Sequence, residues 1–487
     1  MNLNVPTNTA GRRITELAIV AALCAGLAGC AAGPGYVQPV LNTPQSYQHA
    51  PAPTTATGAV ARLDQWWNGF HDPLLNVIIE RVQINNLDLE IAMARVQQAR
   101  AAARLGEANL MPRGELGLQA ASQRQSLQSP IGTIAHNFPS YERDTTLYDS
   151  NVGASWEVDL SGGLHHAGEA ALADAQASEA ERMAVRVTVE ADAADAYFRI
   201  LGLQQRITLA QGQVKADADL LEVVDLRLNR GLGTRQEQAE AQARLAQVRA
   251  SLPPLRHELD TQLNRLDILM GAVPGSFASE FSSELNATWR EPAVPFLAGK
   301  LNPAELLQRR PDVLAAERRL AASHARIGVA TAEYYPKLSL SALIGFEGLD
   351  TAAMNSATFQ PGLLAGLHWR LFDFGRIDAE VAQAKGANAE ALIRYRSAML
   401  HATEDVENAL SAQAELALER KELKNEVDAD WRARMAAEDA YKGGVTGIVE
   451  LLEQDRQLLA SRDQLARVDA DSARAAVAAF RALGGGW

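Results

Sequence analysis

The stretches NVGASWEVDLSGG (Asn151–Gly163) and LLAGLHWRLFDFG (Leu363–Gly375) share one pattern and decide the fold. Each alternates apolar with polar or small residues, passes a tryptophan and ends in glycine. They superpose with Trp156 on Trp369, which lie 213 residues apart. A long internal offset of this kind indicates that one structural unit is written twice along the chain.

Two further landmarks keep the offset. Gly162 aligns with Gly375, and Gly231 of NRGLGTRQEQAE aligns with Gly444 of YKGGVTGIVELLEQ. The segments before the strands also match, as ARLGEANLMPRGELGLQA and ARIGVATAEYYPKLSLSAL. The first copy has the longer loop between its strands, since the proline-to-tryptophan distance is 44 residues there and 33 in the second copy.

Each copy predicts a helix, a strand, a loop, a strand and then two long helices. Pro112 and Pro336 disfavour helix in the residue before them, so they are suitable helix stops. Period-two alternation indicates strands with one apolar face. The predicted strands lie at about 113–126 and 147–160 in the first copy, and at about 337–349 and 359–373 in the second.

The helices are predicted to be unusually long. No proline occurs from Leu164 to Arg230. Leu451, Leu458 and Leu465 recur every seven residues near the C-terminus, which is typical of coiled-coil-like packing. Thr446, Glu450, Glu453, Gln457, Ser461 and Gln464 form a separate polar stripe on this last helix.

The chain divides into six predicted segments. They are a signal peptide at 1–29, a lipidated N-terminus and extended tether at 30–61, the first repeat at 62–270, an inter-repeat segment at 271–303, the second repeat at 304–470 and a C-terminal tail at 471–487.

Composition narrows the function classes. The formal net charge of −13 and the lack of a basic run argue against a nucleic-acid partner. No run of 18 uncharged apolar residues follows the N-terminal segment, so a transmembrane helix is not expected. Four short strands cannot close a barrel, and open sheet edges cannot lie in lipid. If the strands are membrane strands, several copies must contribute, and three copies would supply twelve.

The N-terminal segment has the pattern of a secretory signal. Arg12 and Arg13 precede a short apolar core, and the segment ends in LAGC at Leu27–Cys30. This ending resembles the lipobox of bacterial lipoproteins, which implies a lipidated Cys30 at the mature N-terminus. Ala31 follows, rather than an aspartate that would favour retention in the inner membrane, so outer-membrane sorting is expected.

Motifs along nearly the whole chain resemble the outer-membrane factor family of tripartite efflux pumps, in its nodulation-type lipoprotein branch. These motifs are WWNGFHDPLLNVIIERVQINNLDLEIAMARVQQARA at Trp66–Ala101, WEVDLSGG at Trp156–Gly163, RRPDVLAAERRLAASHARIGVATAEYYPKLSL at Arg309–Leu340, WRLFDFGR at Trp369–Arg376 and ALGGGW at Ala482–Trp487.

The resemblance implies an α+β membrane protein that forms a homotrimer. A shared twelve-stranded β-barrel would lie in outer-membrane lipid, and a long α-helical barrel would continue it through the periplasm. The N-terminal, inter-repeat and C-terminal segments would form an equatorial belt. The tunnel would meet a periplasmic adaptor coupled to an inner-membrane transporter and conduct drugs or other small solutes passively.

The resemblance also places functional sites at the two helix-hairpin tips. These tips, Gly231-Leu232-Gly233-Thr234 and Gly444-Val445-Thr446-Gly447, would form the periplasmic aperture and dock the adaptor. The simpler alternative is that the glycines only permit the turns.

Acidic residues next to the tips are the predicted pore gate. Glu450 and Glu453 match the acidic rings of the family's gate, where carboxylates from three copies would favour cations. The alternative is an ordinary solvated helix face, whose acids suit a helix N-terminus. Glu237 and Glu240 occupy the same positions in the first copy and are weaker candidates, because their helix need not face the lumen.

Other features suggest no further chemistry. His165 and His166 are adjacent on a helix and point apart, which favours a polar boundary over a metal site. No HExxH, GxSxG, Walker A or CxxC pattern occurs, so neither an enzyme nor a cofactor is predicted. The remaining alternatives are an outer-membrane channel for type I protein secretion and a non-conducting coiled-coil adaptor lipoprotein.

One motif departs from the resemblance. Family members often carry Phe-Gly-Arg after the second strand of the first repeat, as Phe374–Arg376 does in the second repeat here. The first repeat has Ser161-Gly162-Gly163 instead. The glycine needed for a strand-to-helix turn is kept, whereas an arginine contact is not expected there.

Overall fold

A computed structural model describes residues 35–39, 45–49, 63–285, 291–295, 303–351 and 355–486. The chain forms two compact units: one comprises Met1–Pro39, Gln97–Gln176 and Glu317–Ile393, and the other comprises Val40–Val96, Ala177–Ala316 and Arg394–Trp487. Each unit draws on both repeats. The repeats are therefore units of sequence, and neither of them is a separate compact body.

The first unit contains a four-stranded antiparallel sheet. Its strands are β1 (Arg113–Arg124), β2 (Asp144–Val158), β3 (Lys337–Gly348) and β4 (Phe359–His368), in the order β1-β2-β3-β4. The central pairing joins the repeats, because β2 of the first pairs with β3 of the second. Strands β1 and β4 form the two edges.

The strand bounds differ from the predicted ones by up to five residues. β1 ends at Arg124 rather than 126, β2 covers Asp144–Val158 rather than 147–160, and β3 ends at Gly348 rather than 349. The largest correction concerns β4, which ends at His368 rather than 373. His368 lies opposite Lys337, the first residue of β3, so the ladder has no partner for the residues that follow.

The register gives the sheet one apolar face. Leu116 lies opposite Val152, Val152 opposite Ile344, and Leu340 opposite Ala365. The large apolar side chains of this face are exposed in the single chain, among them Leu116, Leu118, Val152, Ile344, Leu363 and Leu367. Alternate residues on the other face are mainly polar or glycine, as the period of two requires.

Eleven α-helices lie in the described residues, and the six longest of them form three matched pairs. The eleven are α1 (Pro73–Asn85), α2 (Leu87–Ala108), α3 (Pro130–Ala135), α4 (Gly163–Asn229), α5 (Arg235–Leu269), α6 (Ser276–Glu280), α7 (Ser282–Leu285), α8 (Pro303–Arg309), α9 (Pro311–Ala332), α10 (Arg376–Lys442) and α11 (Ile448–Ala482). Helices α2 and α9 have 22 residues each, α4 and α10 have 67, and α5 and α11 have 35. The duplication is thus kept to the residue in every major helix.

Helix α11 continues past the predicted segment boundary at residue 470, and helix α5 continues through two prolines. Helix α11 continues to Ala482, so the predicted tail at 471–487 is largely the end of this helix. Its last turns are buried against the core through side chains that include Phe480. Helix α5 contains Pro253 and Pro254 in its interior, although proline removes a backbone donor there.

The second unit has an aromatic core. Trp66 stacks on Phe480 with ring centroids 5.6 Å apart, and Phe70 contacts Phe198 at 4.8 Å. Phe277, from the predicted inter-repeat segment, is buried in the same cluster. Asp267 accepts hydrogen bonds from the backbone N–H groups of Gly275 (2.7 Å) and Phe277 (2.8 Å), which fixes the start of that segment.

The N-terminal tether is not wholly extended, which corrects the prediction for 30–61. Tyr47 is only 3% exposed and belongs to the core of the second unit. The N–H groups of Gln48 and His49 donate to the carboxylate of Glu407, at 2.7 and 3.3 Å. The prediction failed because a single aromatic anchor in a Pro- and Thr-rich segment has no periodicity to detect. Cys30 lies outside the described residues.

In the described ranges, none of the helices combines the length and the apolar character needed to cross a membrane.

Candidate pore gate and hairpin tips

Both hairpin tips use the same glycine-dependent helix ending. Gly231 and Gly444 have φ values of +73° and +72°, in the left-handed region that favours glycine. At the first tip the N–H of Leu232 donates to Arg227 O, and at the second the N–H of Val445 donates to Ala440 O, both at 2.9 Å. This is the Schellman pattern. The glycines are therefore required by the turns, whatever else they do.

The residue that follows each of these glycines has an exposed apolar side chain. Leu232 and Val445 occupy the position whose side chain commonly packs back on its own helix. Here both side chains are largely exposed. Each tip consequently presents one apolar side chain that its own hairpin does not cover.

The helices that leave the tips begin differently. In α5, Thr234 is the N-cap, and its Oγ1 accepts the N–H of Glu237 at 3.1 Å. The Glu237 carboxylate in turn accepts the N–H of Thr234 at 2.7 Å, which completes a capping box. In α11 the N-cap is Gly447, which has no side chain to accept such a bond.

The predicted gate residues of the first repeat thus have local partners. Glu237 is engaged in the capping box, and Glu240 accepts a hydrogen bond from Gln236 Nε2 at 2.9 Å. The capping function explains why an acid stands at Glu237 without reference to a pore.

The two acids of the second repeat differ from each other. The Glu450 side chain is exposed, and its carboxylate makes no hydrogen bond or ion pair with any residue that the structure describes. Glu453 is exposed and paired with Arg456, whose Nε lies 3.0 Å from Oε2. The hydrogen bond from Arg456 lowers the pKa of the Glu453 carboxyl, while the same arginine offsets its charge.

The predicted polar stripe on α11 is interrupted. Ser461 is buried, and its hydroxyl donates to Leu458 O at 3.1 Å. A serine can satisfy its hydroxyl on its own helix, so it is compatible with a packed face. Leu451 and Leu458 are buried as expected, whereas Leu465 is only half-buried.

The two hairpins pack together just above their tips. Val224 and Ala241 of the first hairpin share an apolar cluster with Ile448, Leu451 and Leu452 of the second. Arg227 of α4 donates to the hydroxyl of Tyr441 in α10 at 2.9 Å. This contact joins the ends of the two long helices directly before their turns.

Sequence reasoning missed a buried ion pair beside the gate. Arg244 Nε lies 3.0 Å from Asp217 Oδ1, and the Asp217 side chain is only 2% exposed. Gln213 also donates to Asp217, at 2.7 Å. Arg244 reaches across to the second hairpin and donates to the backbone oxygen of Leu452, next to Glu453. No motif marks these residues, because they come from different helices.

An aspartate caps the helix that follows each strand-to-helix turn. Asp159 accepts the N–H of His165 at 2.7 Å, and Asp373 accepts the N–H of Ile377 at 2.7 Å. Both aspartates cap the following helix, although their positions differ by one residue relative to the shared glycine. A Cβ added to Gly163 would lie 2.9 Å from Ala332 Cβ, so the close approach of α9 explains why arginine is absent there.

The adjacent histidines share one carboxylate. His166 Nδ1 lies 2.8 Å from Glu169 Oε2, and His165 Nε2 lies 3.4 Å from Oε1 of the same residue. The His166 ring also covers Gly328, since a Cβ there would lie within 2.4 Å of it. These contacts place the pair at a helix–helix boundary.

Comparison with known proteins agrees with this architecture. The model of the family described as "Outer membrane efflux protein" matches residues 78–272 and 302–485. The pyoverdine export outer membrane protein OpmQ of Pseudomonas putida is 35% identical over 435 residues, covering 89% of this chain and 90% of that protein. Nodulation protein T of Rhizobium leguminosarum bv. trifolii is 27% identical and covers 95% of each chain.

Solved structures show the same fold. The outer-membrane channel OprN has a TM-score of 0.83 at 29% identity, covering 94% of this chain and all of that one. The open-state MtrE outer membrane channel of Neisseria gonorrhoeae has a TM-score of 0.80 at 25% identity, covering 94% and 98%.

The fold and the paired hairpins define an outer-membrane export channel. The chain belongs to the outer membrane efflux protein family, which confirms the resemblance inferred from its sequence. It is an efflux channel of the outer membrane that extends into the periplasm.

Proposed function

We propose that three copies of this chain form one conduit, with a twelve-stranded barrel in the outer membrane and a helical barrel in the periplasm. The observation that carries this proposal is the sheet with an exposed apolar face and two unpaired edges. Neither edge is tolerable in lipid, because unpaired backbone groups cost several kcal/mol each there. Closure by other copies removes both edges at once.

The other face of the sheet suits a water-filled lumen. Arg113, Glu115, Gln119, Asp149 and Asn151 alternate with the apolar positions of β1 and β2. A polar interior and an apolar exterior are what a transmembrane barrel needs. An adaptor lipoprotein without a channel has no use for this arrangement.

At the periplasmic end, Glu450 is the leading gate residue. Its carboxylate is exposed and unpaired among the described side chains, whereas Glu453 is offset by Arg456. Three copies would place three such carboxylates around one axis and favour cations. Glu237 and Glu240 are secondary, since both are occupied by local hydrogen bonds.

Two hydrogen bonds between the hairpins would oppose opening of the aperture. The bond from Arg244 to Leu452 O and the bond from Arg227 to Tyr441 both link the first hairpin to the second. Opening of the aperture by separation of the tips must break these bonds. We therefore assign Arg244 and Arg227 as positioning residues of the gate.

The tips are the proposed docking site for a periplasmic adaptor, which would couple the conduit to an inner-membrane transporter. Leu232 and Val445 supply exposed apolar side chains, and Gly231, Gly233, Thr234, Gly444, Thr446 and Gly447 shape the two turns. The conduit itself would be passive. We expect no cofactor, metal or nucleic acid to take part.

A small solute is the proposed cargo. The relative OpmQ is named for pyoverdine export, which favours a small exported molecule over a secreted protein. A channel for type I protein secretion remains the second candidate, because the same fold serves it equally well. Lipidation of Cys30 would add an anchor, and continued lipid labelling of Cys30→Ser would refute this assignment.

The test is conductance in planar bilayers of the purified protein. We expect a cation-selective pore, and Glu450→Gln is expected to lower the cation-over-anion permeability ratio about twofold or more. Glu419→Gln is the matched control, since that exposed side chain lies on α10 more than twenty residues before the second tip. Failure to conduct in any state, including with Glu450 and Glu453 both changed to alanine, would refute the channel.

A further inference from the structure

The first hairpin, formed by α4 and α5, carries two adjacent prolines in the interior of α5. Pro253 and Pro254 are both exposed. Proline has no backbone N–H, so the carbonyl oxygens of Arg249 and Ala250 lack their usual helical partners. The proline ring also clashes with the carbonyl four residues earlier, which pushes the turns apart on that face. The prolines therefore favour a bend of α5 with the exposed face on the convex side.

The equivalent helix of the second hairpin, α11, has no such interruption. The 213-residue offset places Ala466 and Arg467 at the positions of Pro253 and Pro254. Both residues keep their backbone donors, and α5 and α11 have 35 residues each. The duplicated unit thus has a bending point in its first copy and an uninterrupted helix in its second.

The prolines lie beside a small apolar cluster that α4 and α5 share. Leu252 and Leu255, on either side of the prolines, pack with residues of α4, namely Leu203, Ile207 and Ala210. Along α4 this cluster lies between the large aromatic core and the cluster near the tips. The bending point is therefore in the middle of the hairpin, between its two packed ends.

The opposite face of α4 borders a cavity of about 380 Å³ at the same level. Thr208, Leu209 and Gly212 line it from α4, whereas Trp431 and Leu459 line it from α10 and α11. These α4 positions point away from the cluster shared with α5, because successive helical residues are about 100° apart. A Cβ added to Gly212 would meet nothing within 4 Å. The middle of α4 is thus separated from the second hairpin.

Contacts on both sides of the cavity join the first hairpin to the second. Away from the tips, Arg206 donates two hydrogen bonds to Asp463, at 2.7 and 3.0 Å. A Cβ added to Gly202 would lie 2.6 Å from the Cβ of Ala470, so α4 and α11 touch there. On the tip side, the hairpins are joined by the apolar cluster and the two hydrogen bonds described above. The hairpins meet at two levels and are apart between them, as expected if the first hairpin bows outward at its prolines.

The second hairpin forms the other wall of the cavity and is joined within itself. Arg434 of α10 donates to Asp455 of α11 at 3.0 Å, and Arg420 donates to Asp469 at 2.7 Å. These ion pairs hold α10 and α11 together at two levels. A change in the width of the cavity therefore requires movement of α4.

We propose that the first hairpin is a bow that Pro253 and Pro254 hold bent while the aperture is closed, and that it straightens into the cavity as the tips separate. This inference rests on the proposed conduit and identifies the moving part of its gate. From Pro254 to Thr234, α5 advances 20 residues, or about 30 Å. Straightening by about 10° would move the first tip by about 5 Å, enough to break the 2.9 Å bond from Arg227 to Tyr441.

The first test measures the distance between the tips without the prolines. Pro253→Ala combined with Pro254→Ala restores both backbone bonds, and alanine suits a helix interior best. The straight form is then favoured, so the distance between nitroxide labels on Leu232→Cys and Val445→Cys should grow by about 5 Å. Open probability in planar bilayers should rise about threefold or more. Arg249→Ala, which keeps both prolines, is the control and should match the unsubstituted chain.

Filling the cavity is expected to have the opposite effect. In Gly212→Leu the new side chain occupies the space into which α4 would move, so open probability should fall about threefold or more. The distance between the labelled tips should stay at its closed value. Gly212→Ala is the matched control, because it also replaces a helical glycine but leaves most of the cavity open. That variant should open as the unsubstituted chain does.

The labels are read in assemblies diluted with unlabelled chain, so that each measured pair lies in one copy. The chain with only Cys24 and Cys30 gives the background signal. Equal tip distances with and without the prolines, or equal opening of Gly212→Leu and Gly212→Ala, would overturn the bow. The tip distance is measured whether or not the protein conducts. A protein that never conducts would therefore refute the channel, while the labels would still decide whether the hairpin bends at its prolines.

Discussion

The two hairpin tips have the same turn but differ in how the next helix begins. At the first tip, Thr234 and Glu237 form a reciprocal capping box. At the second, Gly447 leaves the helix without a side-chain cap, and Glu450 stands at the position that Glu237 occupies. Glu237 and Glu450 are equivalent positions of the duplicated unit. Their surroundings differ because the N-cap is threonine in one helix and glycine in the other.

The difference decides whether the glutamate is bound to the start of its own helix. A glutamate in a capping box is committed to its own backbone, whereas Glu450 projects without a partner in the described chain. The second tip is also held to the first chiefly by contacts from the first hairpin, through Arg227 and Arg244. The second tip therefore differs from the first in carrying a glutamate that its own N-cap does not hold.

The largest effect on this comparison is expected from Arg244→Ala. The change leaves Asp217 buried without its cation and removes the bond to Leu452 O. Loss of one partner of a buried pair costs about 3 kcal/mol. We expect lower stability in urea unfolding and a larger closed-state conductance. Arg235→Ala, at the exposed start of α5, is the control, and equal behaviour of both variants would contradict the assignment of Arg244.

Gly447→Thr should make the second tip resemble the first. Gly447 has φ −79° and ψ 166°, which suit a threonine N-cap, and an added Cβ meets nothing within 4 Å. A new capping box with Glu450 would stabilise α11 by about 1 kcal/mol and draw the carboxylate toward the backbone. We expect slower amide exchange at the start of α11 and reduced cation selectivity. The reciprocal Thr234→Gly should loosen α5 and release Glu237 from its capping box, so cation selectivity should not fall in that variant.

The smallest effect is expected from Arg456→Ala and is seen in its pH dependence. Arg456 lowers the pKa of Glu453, so this carboxylate stays charged as the pH falls below the usual range for glutamate. Without Arg456 the pKa rises, and cation selectivity should be lost at a higher pH. At neutral pH the variant should be slightly more cation-selective, because a positive charge is gone. Arg467→Ala is the control, and identical titrations would contradict the pairing.

Much of the fold was predictable because it follows from local patterns. Alternation between Val152 and Val158 indicated a strand, and the absence of proline between Leu164 and Arg230 indicated a continuous helix. Because the sequence is duplicated, the elements predicted in the first copy could be assigned to the second copy as well. The efflux family and the outer-membrane location were inferred correctly from motif order.

The errors came from contacts between distant parts of the chain. Burial of Tyr47 depends on the helix that carries Glu407. The pairing of Arg244 with Asp217 joins two helices, and no periodicity marks it. The end of β4 at His368 is set by the start of its neighbour β3 at Lys337, which the sequence of β4 alone does not reveal. The gate positions remain predictions, since they concern the space between copies.

Equal helix lengths have a consequence for insertions. The proline-to-tryptophan distance is 44 residues in the first repeat and 33 in the second, and most of this difference of 11 lies in the loop between β1 and β2, which has 19 residues (125–143) against 10 (349–358) between β3 and β4. One extra residue in α4 would rotate everything after it by about 100° and advance it by about 1.5 Å. An epitope tag placed in that loop should therefore be accepted, whereas the same tag in a long helix would shift one hairpin tip relative to the other.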